Sequence, residues 1–203
     1  MKLYESLGPN PRTVRMFLAE KGVEIPRVKV DIVKAENRES PYLGVNPTGQ
    51  TPALELDDGR VITEITAICE YLEELHPSPS LFGTTPEQRA ETRMWTRRID
   101  LNILEPLLNG YRYGEGHGFF EGRMRLIPHA SADLKAIGAH WLAWLNGQMA
   151  GKSWICGERY SFADLLLFVF LDFLGKVAQK PDPSLANLAA WEIRMRGRPA
   201  FAR

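Results

Sequence analysis

The residues able to do chemistry sit in two short stretches and one acid. In Ser6-Leu7-Gly8-Pro9-Asn10-Pro11 a polar loop runs into a helix whose opening amides can face an anion. In Asn46-Pro47-Thr48-Gly49-Gln50-Thr51-Pro52 a turn runs into a strand. Pro52 has no N–H to give a ladder, so it belongs at a strand start or an edge, and the main chain of Thr51 is left to pair with an extended, peptide-like ligand. Glu64 falls where the next helix begins, and a first-turn acid there steadies that helix's dipole. Asn10 reads as an N-cap with Pro11 at the first helical position, so its side chain either closes the helix or turns to a bound anion. His76, His129 and His140 share no ligand spacing with one another or with a cysteine, and no metal is expected.

Positioning these groups takes a small sheet. Lys2–Ser6 reads as a strand, the segment from Pro11 to Lys21-Gly22 as a helix stopped by glycine, and Arg27–Val33 as a half-buried strand with Val28, Val30 and Ile32 alternating. Strand, helix, strand implies a parallel crossover. Ala53–Leu56 and Val61–Thr63 flank Asp58-Gly59, a hairpin signal, and Glu64 then opens a helix with Ile65, Ile68, Tyr71, Leu72 and Leu75 on one side. His76-Pro77-Ser78-Pro79-Ser80 is stiff and poor in helix formers. We therefore expect an α/β domain at 1–76, a linker at 77–85 and an all-helical domain at 86–203. In the latter, Pro106 should kink a long helix, and Leu134, Ile137, Trp141, Trp144 and Leu145 should face inward on a second. Ser161-Phe162-Ala163-Asp164 is a capping box before the apolar run Leu165–Leu174, and Leu188, Trp191 and Met195 mark a last helix.

Bulk composition narrows the class. The chain has 203 residues, 44% hydrophobic, with a formal net charge of zero, which favours neither nucleic acid nor an anionic membrane as partner. Cys69 and Cys156 lie in apolar surroundings and read as buried thiols in a reducing, cytoplasmic compartment. No apolar run approaches the roughly 18 residues of a membrane span.

Asn46-Pro47-x-Gly49-x-x-Pro52-x-Leu54, the hairpin, and Glu64-x-x-Ala67-Ile68-x-x-Tyr71-Leu72 together resemble the glutathione-binding half of soluble glutathione S-transferases. The late Ser-x-x-Asp box resembles the family's helical half. The resemblance implies a thioredoxin-like N-terminal domain, an all-α C-terminal domain, a homodimer, and a cis Thr51–Pro52 bond beside which the cysteinyl backbone of glutathione pairs. It implies further that Glu64 meets the γ-glutamyl ammonium, and that Asn37, Arg38 and Gln50 lie toward the glycyl carboxylate, although Asn37 and Arg38 also read as a solvated charged loop. Ile65 stands where the family usually has Ser, leaving the helix-start amides and Thr66 for the γ-glutamyl carboxylate. The family's Tyr, Ser or Cys in the first loop is absent; Gly8 holds that place. The chain thus looks like a bacterial and fungal subgroup without that residue. Here Asn10 and the amides after Pro11 would favour thiolate, Leu7 would lie against glutathione, and Tyr111, Arg112, Tyr113 and His117 would line an electrophile pocket between the domains, with Arg112 polarising developing charge. His117 reads equally as an exposed loop residue. The reaction implied is conjugation of glutathione to a small hydrophobic electrophile; glutathione-dependent disulfide or peroxide reduction, or a non-catalytic binding module, are the alternatives.

Overall fold

The structure is a computed structural model, and it describes residues 1–201. The chain divides into one unit at Met1–Leu81 and a second that begins at Phe82. The division falls within the stiff, proline-rich 77–85 segment.

The first unit is a four-stranded mixed sheet with helices. Its elements are β1 (Lys2–Glu5), α1 (Pro9–Lys21), β2 (Arg27–Lys29), the short α2 (Ser40–Leu43), β3 (Ala53–Glu55), β4 (Val61–Thr63) and α3 (Ile65–Leu75). Strand order is β2-β1-β3-β4, with β1 parallel to β2 and antiparallel to β3, and β3 antiparallel to β4. β3 is therefore a central strand, and Pro52 precedes it at the strand-start position that a residue without an N–H requires. β2 is shorter than the alternation suggests and its side chains are exposed; only Val30, just beyond it, is buried. Asp31 stops the strand: its Oδ1 accepts the N–H groups of Val33 and Lys34, turning the chain. In the hairpin only Gly59 takes a positive φ, 84°, and Leu56 N–H donates to Arg60 C=O at 2.8 Å. The connection is thus a wider turn around glycine rather than a two-residue one. On α3 the buried residues are Ile68, Cys69 and Leu72, while Leu75 is 46% exposed, so the inner face is narrower than expected.

Lys21, at the last turn of α1, is buried. It pairs with Glu73 and donates to the carbonyls of His76 (2.9 Å) and Pro79 (2.5 Å), fastening the chain's exit to α3.

The second unit holds α4 (Pro86–Ile99), a π-helical stretch at Asp100–Leu104, α5 (Glu105–Tyr113), the short α6 (His117–Phe120), α7 (Ser131–Gln148), α8 (Phe162–Val177) and α9 (Ala186–Arg196). The π turn stands where the kink before Pro106 was expected. A proline ring collides with the carbonyl four residues back, and a widened turn relieves it. α7 is rotated from the expected face: Gly138, Leu142 and Leu145 are buried and Ile137 is 47% exposed. The cause is close packing on α5, since a Cβ at Gly138 would stand 2.4 Å from Leu107 Cγ. Trp141 and Trp144 are left half-buried. α8 is buried along nearly its whole length, and Leu188, Trp191 and Met195 of α9 are buried as expected.

Candidate functional site

Asn10, Asn46, Gln50, Thr51, Pro52, Thr63, Glu64 and Ile65 line one cleft of about 40 Å³ in the sheet unit. Six of these are the sequence's candidate site residues; Asn46, from the same motif, and Thr63 join them. Three elements converge there: the start of α1, the segment entering β3, and the junction of β4 with α3.

The segment entering β3 is held from behind by buried side chains. Asn37 Nδ2 donates to Gly49 C=O at 2.6 Å. Tyr42 Oη and Asn46 Nδ2 both donate to Gln50 C=O, at 2.5 and 2.8 Å. Asn46 Oδ1 in turn accepts from the N–H (3.2 Å) and hydroxyl (2.9 Å) of Thr48. Ser6 and Thr51 hydroxyls meet at 2.5 Å. Burial pushes the Tyr42 phenol up to about 12, so it stays a donor. Gly49 is obligatory, with φ +65° and Asn37 C=O 2.9 Å from any Cβ placed there. The Thr51–Pro52 bond is cis, as the resemblance implies. With its neighbours' carbonyls turned inward, the main-chain N–H and C=O of Thr51 have no protein partner among the described residues.

Glu64 sits across the cleft in an unusual backbone state, φ 67° and ψ 123°, immediately before the first residue of α3. A non-glycine residue there costs on the order of 1–3 kcal/mol and persists only where its surroundings enforce it. Its carboxylate is exposed and, among the described residues, has no partner. The amide of Ile65 opens α3 beside it, with the Thr66 hydroxyl next in line.

The start of α1 differs from expectation. The helix begins at Pro9 with Gly8 (φ 113°) as its cap, and no side chain caps it. Pro9, rather than Pro11, fills the first helical position. Asn10 is thus inside the first turn, and its side chain has no partner among the described residues. Pro9 and Pro11 have no N–H, and the N–H of Arg12 turns to Gly8 C=O at 3.4 Å. The free donors of this turn are therefore the Asn10 main-chain and side-chain N–H groups, not amides after Pro11.

The remaining sequence candidates fall outside the cleft lining. Leu7 is 68% exposed in the loop before Gly8. Arg38 is exposed and its stem lies against Gly49, whose would-be Cβ is 3.5 Å from Arg38 Cδ. Asn37 is buried and holds the loop from within rather than facing solvent.

In the helical unit, Tyr111 makes edge contacts with Phe120 (6.1 Å) and Phe173 (5.6 Å). Burial raises its hydroxyl, with Glu115 adding to the effect. Arg112 donates to Asn109 Oδ1 at 2.9 Å and stands 5.9 Å over the Phe120 ring. Tyr113 and His117 are half-buried with no side-chain partner among the described residues. Sequence reasoning missed Phe120 and Phe173, which lie apart from the glycine-rich stretch that drew attention to Tyr111.

A larger cavity of about 700 Å³ lies elsewhere, between the end of α8 and α9. Its Lys176 and Arg196 both serve Asp172, at 2.8 and 3.2 Å, and Arg196 also pairs with Glu192. Size alone favours that cavity, but Asp172, Lys176, Glu192 and Arg196 there pair with one another, whereas Glu64 in the small cleft has no partner among the described residues.

A family profile described as the glutathione S-transferase N-terminal domain matches residues 7–75, and one described as the glutathione S-transferase C-terminal domain matches residues 134–199. Glutathione S-transferase 2 of Saccharomyces cerevisiae is 29% identical, over 98% of this chain and 87% of its own length. The crystal structure of Gtt2 from the same yeast superposes with a TM-score of 0.91 at 28% identity, covering 100% of this chain and 99% of that one. Glutathione S-transferase GstA of Escherichia coli O157:H7 is 31% identical over 98% of this chain and 94% of its length. A crystal structure of a glutathione S-transferase domain-containing protein from Marinobacter aquaeolei VT8 has a TM-score of 0.92 at 31% identity, with 99% and 100% coverage.

Proposed function

We infer the reaction from one premise: the chain belongs to the glutathione S-transferase family, whose members act with glutathione as co-substrate. We propose that this member conjugates glutathione thiolate to a small hydrophobic electrophile. The observation that carries the reading is the pairing of an open Thr51 main chain with an unpartnered Glu64 carboxylate across one cleft.

In this reading the cysteinyl backbone of glutathione adds to Thr51, as an extended peptide adds to an unfilled strand end. Glu64 accepts the γ-glutamyl ammonium, and the α3 start, at Ile65 and Thr66, donates to the neighbouring carboxylate. Gln50 and Arg38 receive the glycyl end. Pro52 sets the strand entry, and Leu7 borders the sulfur. Asn10 supplies two N–H donors to the thiolate. A free thiol titrates near about 8.5, leaving a few per cent ionised at neutral pH. A helix start contributes on the order of 0.3–2 kcal/mol to an adjacent anion, and about 1.4 kcal/mol is one pKa unit, so the thiolate fraction rises several-fold. Arg112 polarises developing charge on the electrophile, and Tyr111, Tyr113 and His117 give it apolar and aromatic contact. The aromatic surroundings of Tyr111, with Phe120 and Phe173, support an apolar substrate.

We also infer a homodimer. Trp95, Trp144 and Trp141 form a chain of ring contacts at 5.9 and 5.1 Å across α4 and α7, and Met94, Leu101 and Ile137 of the same unit are 41, 45 and 47% exposed. Half-buried Trp141 and Trp144, resting on buried Trp95, together with exposed aliphatics in the same unit suit a protein interface. Cys69 and Cys156 are free and buried, and burial raises both thiols, which fits a reducing, cytoplasmic location. No helix among the described residues is long and apolar enough to cross a membrane.

Turnover with glutathione and an aromatic chloride, measured beside turnover with glutathione and a small disulfide, tests the reaction. Conjugation of the chloride is expected. Turnover of the disulfide alone would replace the reading with a reductase, and none with either, while glutathione still binds, would replace it with a binding module.

A further inference from the structure

The β1–β3 ladder stops one rung short of the cleft. Its last registered pair is Tyr4 with Ala53, and continuing the antiparallel register sets Ser6 opposite Thr51. No main-chain bond joins those two among the described residues; their hydroxyls meet instead, at 2.5 Å. Ser6 Oγ also donates to Leu7 C=O at 3.0 Å. A serine has one hydroxyl proton. With that proton on Leu7, the Thr51 hydroxyl must donate to Ser6, giving a directed chain from Thr51 through Ser6 to Leu7. The Leu7 carbonyl belongs to the peptide unit that enters Gly8, the cap of α1, so its direction bears on where Asn10 points. Ser6 is 6% exposed, and Arg15 Nη1 approaches its carbonyl at 3.4 Å while pairing with Glu5 at 3.1 Å, so the residue is fixed from two sides.

Resting on the glutathione reading above, we propose that Ser6 is a positioning residue: its hydroxyl fixes the distance between the strand end that holds the tripeptide and the helix start that holds its sulfur. Ser6 touches neither thiol nor electrophile. Its loss lets the Leu7–Gly8 peptide turn, and the Asn10 donors then miss the sulfur while the peptide stays bound. A misplacement of about 1 Å is enough to cost activity heavily.

Ser6→Ala and Thr51→Val each remove one end of the link. Each should lower kcat about tenfold and shift the ionisation of bound glutathione, followed by thiolate ultraviolet absorbance, to higher pH, and in Ser6→Ala the calorimetric Kd should stay within about twofold. The double variant should be no worse than either single one, because both cut the same link. Ser6→Thr, which keeps the hydroxyl, should restore kcat. Wild-type kcat in Ser6→Ala, losses that multiply in the double variant, or a Kd that weakens in step with kcat at unchanged melting temperature would each overturn the proposal. Wild-type protein that binds no glutathione would overturn the underlying reading together with it, and that control separates the two failures.

Discussion

In the sheet unit, Asn37, Tyr42, Asn46 and Ser6 are buried and direct their polar groups at residues 48–51. In the helical unit, Ser161, Asp164 and Trp191 are buried and direct theirs at one another. Asp164 Oδ1 accepts from the Ile155 N–H and the Trp191 indole, both at 2.9 Å, and Oδ2 accepts from the Ser161 N–H and hydroxyl, both at 3.0 Å. Each carboxylate oxygen there has two donors and nothing faces outward. The sheet-unit network instead ends on groups left open, the Thr51 main chain and, across the cleft, Glu64. A closed polar network holds a helix in place; an open one of the same depth holds a surface ready for a ligand.

The contrast can be broken at either end. The largest effect is expected at Asp164. Asp164→Ala strips partners from buried donors and should cost about 3–5 kcal/mol in denaturant unfolding, with the glutathione affinity of the folded fraction unchanged. Burial pushes the Asp164 carboxyl up to about 6 despite its donors. Its folded form therefore holds the proton longer than the unfolded chain does. The contribution to stability is full below about pH 4, is lost as pH rises to about 6, and is flat above that, a swing on the order of 3 kcal/mol. Asp164→Asn should remove that slope from the stability profile.

Glu64→Gly is expected to divide the two properties. Glycine accepts the positive φ, so unfolding free energy should rise by about 1 kcal/mol, while glutathione affinity falls at least tenfold through loss of the ammonium partner. A drop in both would mean that Glu64 serves α3 and not a ligand. The smallest effect is expected at Tyr42→Phe. The ring and its edge contact with Tyr4 at 6.0 Å remain, and Asn46 still serves Gln50 C=O, so the cost should be about 1 kcal/mol in stability with a few-fold weaker glutathione binding by calorimetry.

Much of this was legible in the chain because local chemistry fixed it. Gly22 ends α1 in the left-handed state, Asp164 closes the capping box, and the Asn46–Pro52 stretch forms the turn its residues suggest. What failed depended on packing partners or on competition between neighbours. Pro9 outcompeted Pro11 for the first helical position, which moved Asn10 inside the turn and freed its side chain. α7 faces inward through Gly138, because the space left by a missing Cβ against Leu107 is visible only once two helices meet. Tyr42 was unremarkable as a letter, and nothing in the sequence tied Ser6 to Thr51. Their roles come from the fold bringing residues 6 and 42 to the carbonyls and hydroxyls of residues 50 and 51.

The account rests on Thr51 and Glu64 bracketing a bound tripeptide, and amide NMR during a glutathione titration tests that most directly. The Thr51 amide, and those of Asn10, Glu64 and Ile65, should shift most and saturate together, while amides around Asp164 stay still. Saturating glutathione that leaves residues 51 and 64 unmoved, or shifts that gather instead around Lys180 and Trp191, would contradict it.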